Sequence, residues 1–272
     1  MSALDPTPPA QISGTMRVRT NVDQLSADGL SALRQAFSAV MAIDDDRGYQ
    51  HFAGIHGLPL PIYCQHHNLL FLAWHRAYLY FFEQALLDQV PGASLPWWDW
   101  ASRGAAQAIP AAYDAAEVDG RPNPLFQSPI TSVPLSQWER LEAGPLPTAT
   151  FRRPGQFAGF PNPDQVMAVL DAPTFTDFSL RLESIHDGVH VWVGGTMSEI
   201  PVAAFDPIFW AHHCMIDRLW YLWQLRHPGG DPPRNVRSLA LPPFSMTVAD
   251  TLDINRLGYD YAGAEMPVPA RG

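Results

Sequence analysis

The chain has 272 residues, nine tryptophans, 27 prolines and a formal net charge of −10. That acidity disfavours nucleic acid and anionic membrane as partners, because phosphate recognition needs basic patches, and no apolar run of about 18 residues is present to span a bilayer. The length suits one large domain. With no Gly/Ser linker or charge run to divide it, residues 1–272 are expected to form a single unit with its core over about 16–262.

Residues 1–15 read as a proline-containing tail. They lack the basic stretch followed by an apolar one that marks a secretory leader. The cytoplasm is therefore the default location, with export alongside a partner protein as the alternative. Ser26 is a candidate N-cap, and Leu30, Leu33, Phe37, Val40 and Met41 follow it at helical spacing. Residues 44–66 read as loop. Residues 68–89 are apolar nearly all round, the signature of a helix buried in a bundle. Leu95-Pro-Trp-Trp-Asp-Trp100 is a short extended segment whose tryptophans suit the core, and 101–165 reads as a long surface loop region. A helix over 173–193 ends at Gly194-Gly195. Asp206-Pro207 offers an N-cap and a proline at the first helical position for a last long helix to about Arg226, and the rest is loop-rich. The expected fold is mainly α, a four-helix bundle with long loops and little β-structure. Such bundles hold paired metals from facing helices.

Six histidines fall in two sets of three along this frame: His56, His66 and His75, then His186, His190 and His213. Imidazole is a neutral nitrogen ligand suited to copper, zinc, iron and nickel. His186 and His190 stand four apart, on one helix face, although an isolated pair of this kind is more often capped or solvent-facing. His66 and His75 would lie on opposite faces of a continuous helix. They can share a metal only if His66 precedes the helix on a loop that turns back. Adjacent His212 and His213 point about 100° apart, so one is a ligand and the other stands behind it, with Asp217 available to orient a neighbouring group. His51 is an alternative first ligand, His67 is a supporting residue and His227 structural. Arg76 and Glu83 on the buried helix call for an ion pair, since isolated buried charges are costly. Two cysteines, Cys64 and Cys214, are too few for a disulfide framework.

The segment Phe71-Leu-Ala-Trp-His75-Arg-Ala-Tyr-Leu-Tyr-Phe-Phe-Glu83 resembles the first copper motif of the tyrosinase and polyphenol oxidase family. Leu95-Pro-Trp-Trp-Asp-Trp100 resembles the sequence that follows it there. His186-Asp-Gly-Val-His190 and Asp206-Pro-Ile-Phe-Trp-Ala-His-His213-Cys-Met-Ile-Asp217 resemble the second copper motif. The resemblance implies a binuclear type-3 centre, with one copper on His56, His66 and His75 and the other on His186, His190 and His213, and O2 as co-substrate. It also implies a thioether between Cys64 and His66, an aromatic near the metals at Phe209, and a closing tyrosine pair at Tyr259 and Tyr261 against Arg17 or Arg19. It looks like a short form without the C-terminal domain of many members, served by a copper-loading or shielding protein.

The implied activity is oxidation of o-diphenols to o-quinones, with ortho-hydroxylation of monophenols as an extension. An o-aminophenol oxidase is the alternative. A hemocyanin-like O2 carrier is the less favoured reading, because carriers bury the site behind extra domains for which this chain has no room. In the family a glutamate and an asparagine are thought to hold an activating water. Glu183 fits the first place. Asp187 stands where the asparagine is expected; an ionised carboxylate cannot donate a hydrogen bond, and it either repels a phenolate or acts as a catalytic base itself, which sets monophenol hydroxylation apart from the rest. The partner these residues imply is a small phenol.

Overall fold

The computed structural model describes residues 16–101, 108–156 and 159–263. The N-terminal tail over 1–15 and parts of the expected long loop, 102–107 and 157–158, lie outside the described residues. Strand β1 (Arg17–Arg19) leads into α1 (Ala27–Met41), α2 (Tyr49–His56) and α3 (Phe71–Gln89). Short pieces follow: α4 (Ala111–Asp114), β2 (Glu117–Val118), β3 (Arg121–Pro122) and α5 (Leu135–Trp138). Then come α6 (Pro163–Leu170), α7 (Phe175–Val193), α8 (Ile208–Arg226), α9 (Arg234–Arg237) and β4 (Tyr259–Tyr261). The fold is mainly helical, as the sequence pattern requires. None of its described helices is long and apolar enough to cross a membrane.

Four helices carry the structure: α1 with 15 residues, and α3, α7 and α8 with 19 each. Helix α1 starts where Ser26 accepts the Gly29 N–H at 3.1 Å, and α7 where Thr174 accepts that of Asp177 at 3.2 Å. Asp206 accepts the Ile208 N–H at 3.1 Å at the head of α8, and Arg152 holds that carboxylate from 2.5 Å. Helix α3 packs on α1, α7 and α8. Phe71 through Tyr80 are buried without a break, as are Ile208 through Trp220, so these two helices are the interior of the bundle. Where they meet, the Phe82 and Trp210 rings stack at 3.7 Å. Trp97, Trp98 and Trp100 are all buried.

Two expectations are corrected here. The stretch 44–66 is not all loop, because Tyr49–His56 forms α2. This helix has only eight residues and begins at Gly48 with no side-chain cap, so propensity and capping signals are both weak. What holds it is tertiary: the Tyr49 hydroxyl donates to the Phe205 carbonyl at 3.1 Å, and Tyr78 to that of Phe52 at 2.6 Å. The region 101–165 also contains a small antiparallel hairpin, β2–β3, and two single helical turns.

The buried charges are ion-paired, as expected, each with a residue of another element. Arg76 donates to Asp217 at 2.5 Å, and Glu83 receives Arg19 at 2.9 Å. Arg19 reaches Asp217 as well, at 3.2 Å. Asp217 therefore orients no histidine. Its Oδ2 accepts the hydroxyls of Tyr259 at 2.7 Å and Tyr261 at 2.6 Å. Strand β4 lies parallel to β1, with Arg19 opposite Tyr261, and the Arg19 guanidinium sits 3.7 Å over the Tyr259 ring. Burial alone would raise the Asp217 pKa, but Arg76 and Arg19 outweigh it and hold the group below its ordinary value. Both ends of the described chain are thereby fastened to α3 and α8.

Removing the central carboxylate leaves the buried Arg76 without its carboxylate, while Arg19 keeps Glu83. Asp217→Ala is expected to cost about 3–5 kcal/mol, read as a lower urea midpoint with unchanged slope. A loss within the range of ordinary surface substitutions, about 0.5 kcal/mol, would show that the network does not carry the fold.

Candidate metal centre

The six histidines converge from five parts of the chain. His56 is the last residue of α2, and His75 lies in the first turns of α3. His186 and His190 sit on one face of α7, and His213 lies in α8. His66 is on the loop before α3, as its nine-residue distance from His75 demanded. The ring centroids of the first set form a nearly equilateral triangle: 5.4 Å for His56–His66, 5.6 Å for His56–His75 and 5.3 Å for His66–His75. In the second set the separations are 4.5, 4.8 and 5.4 Å. The triangles face each other, with His75 stacked on His213 at 4.5 Å and 12°.

Backbone oxygens decide which nitrogen each ring turns inward. A carbonyl can only accept, so a ring nitrogen bonded to one carries the proton. His75 Nδ1 lies 2.8 Å from the Phe71 carbonyl, His190 Nδ1 2.7 Å from that of Met197, and His56 Nδ1 3.3 Å from that of Ile200. His186 Nδ1 is 3.0 Å from the Asp187 carboxylate. The Nε2 lone pairs of these rings must then point into the centre. There the Nε2 atoms of His56 and His75 are buried without a partner. His213 Nε2 lies 3.3 Å from the Nε2 atoms of both His186 and His190. Convergent lone pairs repel unless a cation lies between them, and two sets of three neutral imidazoles suit copper. Orientation of the ligand's second nitrogen by a carbonyl or carboxylate is normal supporting design around a metal. The donor set fits a binuclear copper centre.

Glycines make two of these contacts accessible. Gly194 and Gly195 have φ of +66° and +58°, the left-handed region that favours glycine. A Cβ on Gly195 would lie 2.1 Å from the Phe151 carbonyl. This tight exit from α7 returns Met197 to His190. A Cβ on Gly57 would meet the Pro201 carbonyl at 2.2 Å, and that close approach sets Ile200 against His56.

The loop that bears His66 is held from several sides. Asn68 donates to the His66 carbonyl at 3.1 Å and accepts the Leu70 N–H at 2.8 Å. His67 has φ +56°, and its N–H donates to Glu183. Glu183, with its side chain only 3% exposed, thus has a positioning task. Burial raises its pKa while the His67 N–H draws it back. The Cys64 Sγ lies 3.4 Å from His66 Nδ1, and burial pushes its thiol up to about 12.

Phe209 packs its ring 4.1 Å from His213 and 4.9 Å from His56. His212 is fully buried and stacks on His186 at 5.2 Å and 18°. His51 is brought near none of the six, its ring meeting Phe52 instead. His227 caps α8, with Nδ1 3.1 Å from the Trp223 carbonyl. Cys214 is buried in the core. Sequence reasoning missed Phe71, whose ring lies 4.8 Å from His75 and 4.9 Å from His186. It also missed the carbonyls of Met197 and Ile200, which carry no side-chain signal. A cleft of about 190 Å³ opens onto His56, His66, His186 and His190, lined further by Asp187 and the apolar Val191, Met197, Ile200 and Ala203.

The family model for the common central domain of tyrosinase matches residues 46–226, a span that holds all six histidines. The chain belongs to the tyrosinase family. It is 30% identical to a G-type hemocyanin of Enteroctopus dofleini over 88% of this chain, and 29% identical to a tyrosinase of Podospora anserina over 66%. It spans 9% of that hemocyanin's length and 45% of that tyrosinase's. A functional unit of octopus hemocyanin superposes with a TM-score of 0.76 at 27% identity, over 92% of this chain and 69% of the other. A tyrosinase from Burkholderia thailandensis gives 0.76 at 24%, over 91% and 74%. This is a type-3 copper protein of the tyrosinase and hemocyanin family, and its cofactor is a pair of copper ions. Hemocyanins and tyrosinases both stand among its relatives, so membership of the family does not separate an oxidase from an O2 carrier.

Burial lowers the pKa of all six rings, and neighbouring imidazoles lower several further. His66 and His190 fall to about 4. In the unfolded chain the same groups take up protons near pH 6.5. The sign follows: stability of the metal-free protein is full above pH 6.5 and is lost as pH falls towards about 4. Calorimetry should show its melting temperature dropping between about pH 7 and 5, and a flat profile would contradict the neutral, buried rings. His190→Ala is expected to lower copper from two ions per chain towards one, measured by metal analysis after dialysis. Retention of both would remove His190 from the ligand set.

Proposed function

We propose that this protein oxidises o-diphenols to o-quinones with O2. The observation that carries the reading is the cleft. Its 190 Å³ exceeds the roughly 150 Å³ cavity that accepts benzene in a protein interior, so one aromatic ring can reach the histidine edges. O2 alone needs no such space. Two copper ions, when bound, supply the O2 site and accept electrons in pairs. Two catechols give up four electrons and four protons, and one O2 takes them to form two waters.

The residues then have separate tasks. His56 and His190 flank the entering ring, Val191 and Ile200 exclude water from its edges, and Phe209 backs His56 and His213. Asp187 keeps His186 in its working tautomer and places a negative charge beside the cleft. That charge opposes a phenolate, and a monophenol, whose pKa is about 10, must be deprotonated before it is hydroxylated, so diphenol oxidation is the reading taken. Ortho-hydroxylation of monophenols and oxidation of o-aminophenols are narrower readings of the same site. Glu183 acts through the His66 loop. The short Cys64–His66 contact supports the thioether that the resemblance implies. A small phenol is the partner that the cleft supports.

The relatives favour one second reading, reversible O2 carriage. Oxygen uptake by the copper-loaded protein, compared for tyrosine, catechol and o-aminophenol, separates the two. Steady uptake with catechol, far beyond one O2 per copper pair, is the expected result. A single stoichiometric uptake that then stops would overturn the oxidase reading in favour of a carrier. Prompt uptake with tyrosine would show that Asp187 does not bar hydroxylation.

A further inference from the structure

The protein lining of the cleft over the metal centre holds one carboxylate, Asp187, and no lysine or arginine. The Asp187 side chain is 49% exposed, and His186 Nδ1 fixes it at 3.0 Å. It is therefore a placed charge rather than a wandering one. His67 also lines the cleft, with its side chain 80% exposed, but its Nδ1 lies 4.0 Å from Glu183. The chain's net charge of −10 adds a field of the same sign as Asp187.

The cleft's size sets a second constraint. It holds one ring, so a chain carried by that ring opposite its reacting oxygens must extend past the mouth. Asp187 lines that cleft with its side chain half-exposed, so a charge at the end of such a chain passes the carboxylate in a setting between bulk water and protein interior. At about 7 Å and an intermediate dielectric, attraction between unit charges is worth on the order of tenfold in binding, and repulsion of an anion is worth the same in the other sense.

We propose, on the oxidase reading above, that this site selects catechols bearing a cationic aminoalkyl chain over those bearing a carboxylate, and that Asp187 is the selecting residue. Its carboxylate takes no part in the redox step for this purpose. It raises occupancy by ammonium-bearing rings and lowers that by acids.

The test compares kcat/KM for 3,4-dihydroxyphenethylamine, 3-(3,4-dihydroxyphenyl)propionate and neutral 4-methylcatechol, in the copper-loaded protein and in Asp187→Asn. Asparagine can still accept the His186 proton, and ratios taken against 4-methylcatechol cancel whatever the substitution does to the centre itself. The amine should exceed the acid by on the order of a hundredfold, the product of the two effects, and the substitution should remove most of that ratio. Raising salt from about 0.02 M to about 0.5 M should compress the preference in the unsubstituted protein, a readout that does not depend on the variant folding. Ligand-observed NMR with 2-phenylethylamine and 3-phenylpropionate on the metal-free protein gives the binding preference without turnover. Equal handling of amine and acid, or a ratio unmoved by both salt and substitution, overturns the inference and leaves the oxidase reading standing. Failure to oxidise 4-methylcatechol overturns the oxidase reading, and the NMR preference then decides the charge selection by itself.

Discussion

Six neutral imidazoles with lone pairs aimed at one another are the constraint on which this structure turns. Unpaired buried polar atoms are costly, and here the Nε2 atoms of His56 and His75 have no protein partner. Stability elsewhere has to hold them in place until a metal satisfies them. The Nδ1 contacts show how local that control is. Four rings are set by a carbonyl or carboxylate at 2.7–3.3 Å, and each contact removes one tautomer. The centre is thus specified less by the ligands than by the oxygens behind them.

Those oxygens keep their positions because α3 and α8 cannot slide. The charged spine of Arg19, Glu83, Arg76 and Asp217 crosses the bundle between them, with the two tyrosines of β4 closing it. A hydrophobic replacement of similar volume could be as stable. What directional bonds add is register. Asp217 lies one helical turn beyond His213, and Arg76 is next to His75. The ion pair at 2.5 Å therefore ties the same turns that present one ligand from each set. We read the spine as the alignment device of the two halves.

Legibility in the sequence follows the range of the interaction. The long helices announced themselves by periodicity and caps, and the need for His66 to precede α3 followed from helical geometry alone. Helix α2 did not show, because its stability comes from Phe205 and Tyr78 rather than from its own residues. That Arg76 and Glu83 need ion partners is legible, but which residues supply them is not. Their partners lie 141 and 64 residues away, and local patterning cannot see that far. The carbonyls of Met197 and Ile200 are invisible in principle, since every residue has one. Only Gly194-Gly195 hinted that the chain turns back there.

Oxidase and carrier share a dicopper core, so the difference between them must lie in the layer that surrounds it. In this chain that layer is built from Asp187 and Val191 on α7, from Ile200 and Ala203 after its exit, and from the His66 loop. The side chains of Val191, Ile200 and Ala203 take no part in the spine or in setting the ring tautomers, so they can change without disturbing either. A family that keeps one copper core can therefore vary access independently of metal binding. On the proposed reading this chain uses that freedom in one way, leaving room for a single ring and setting a carboxylate beside it. The carboxylate sits next to His186 in sequence and is held by it in space. Any change made there to tune the substrate must also preserve an acceptor for the His186 proton, and this couples specificity to metal geometry at one position.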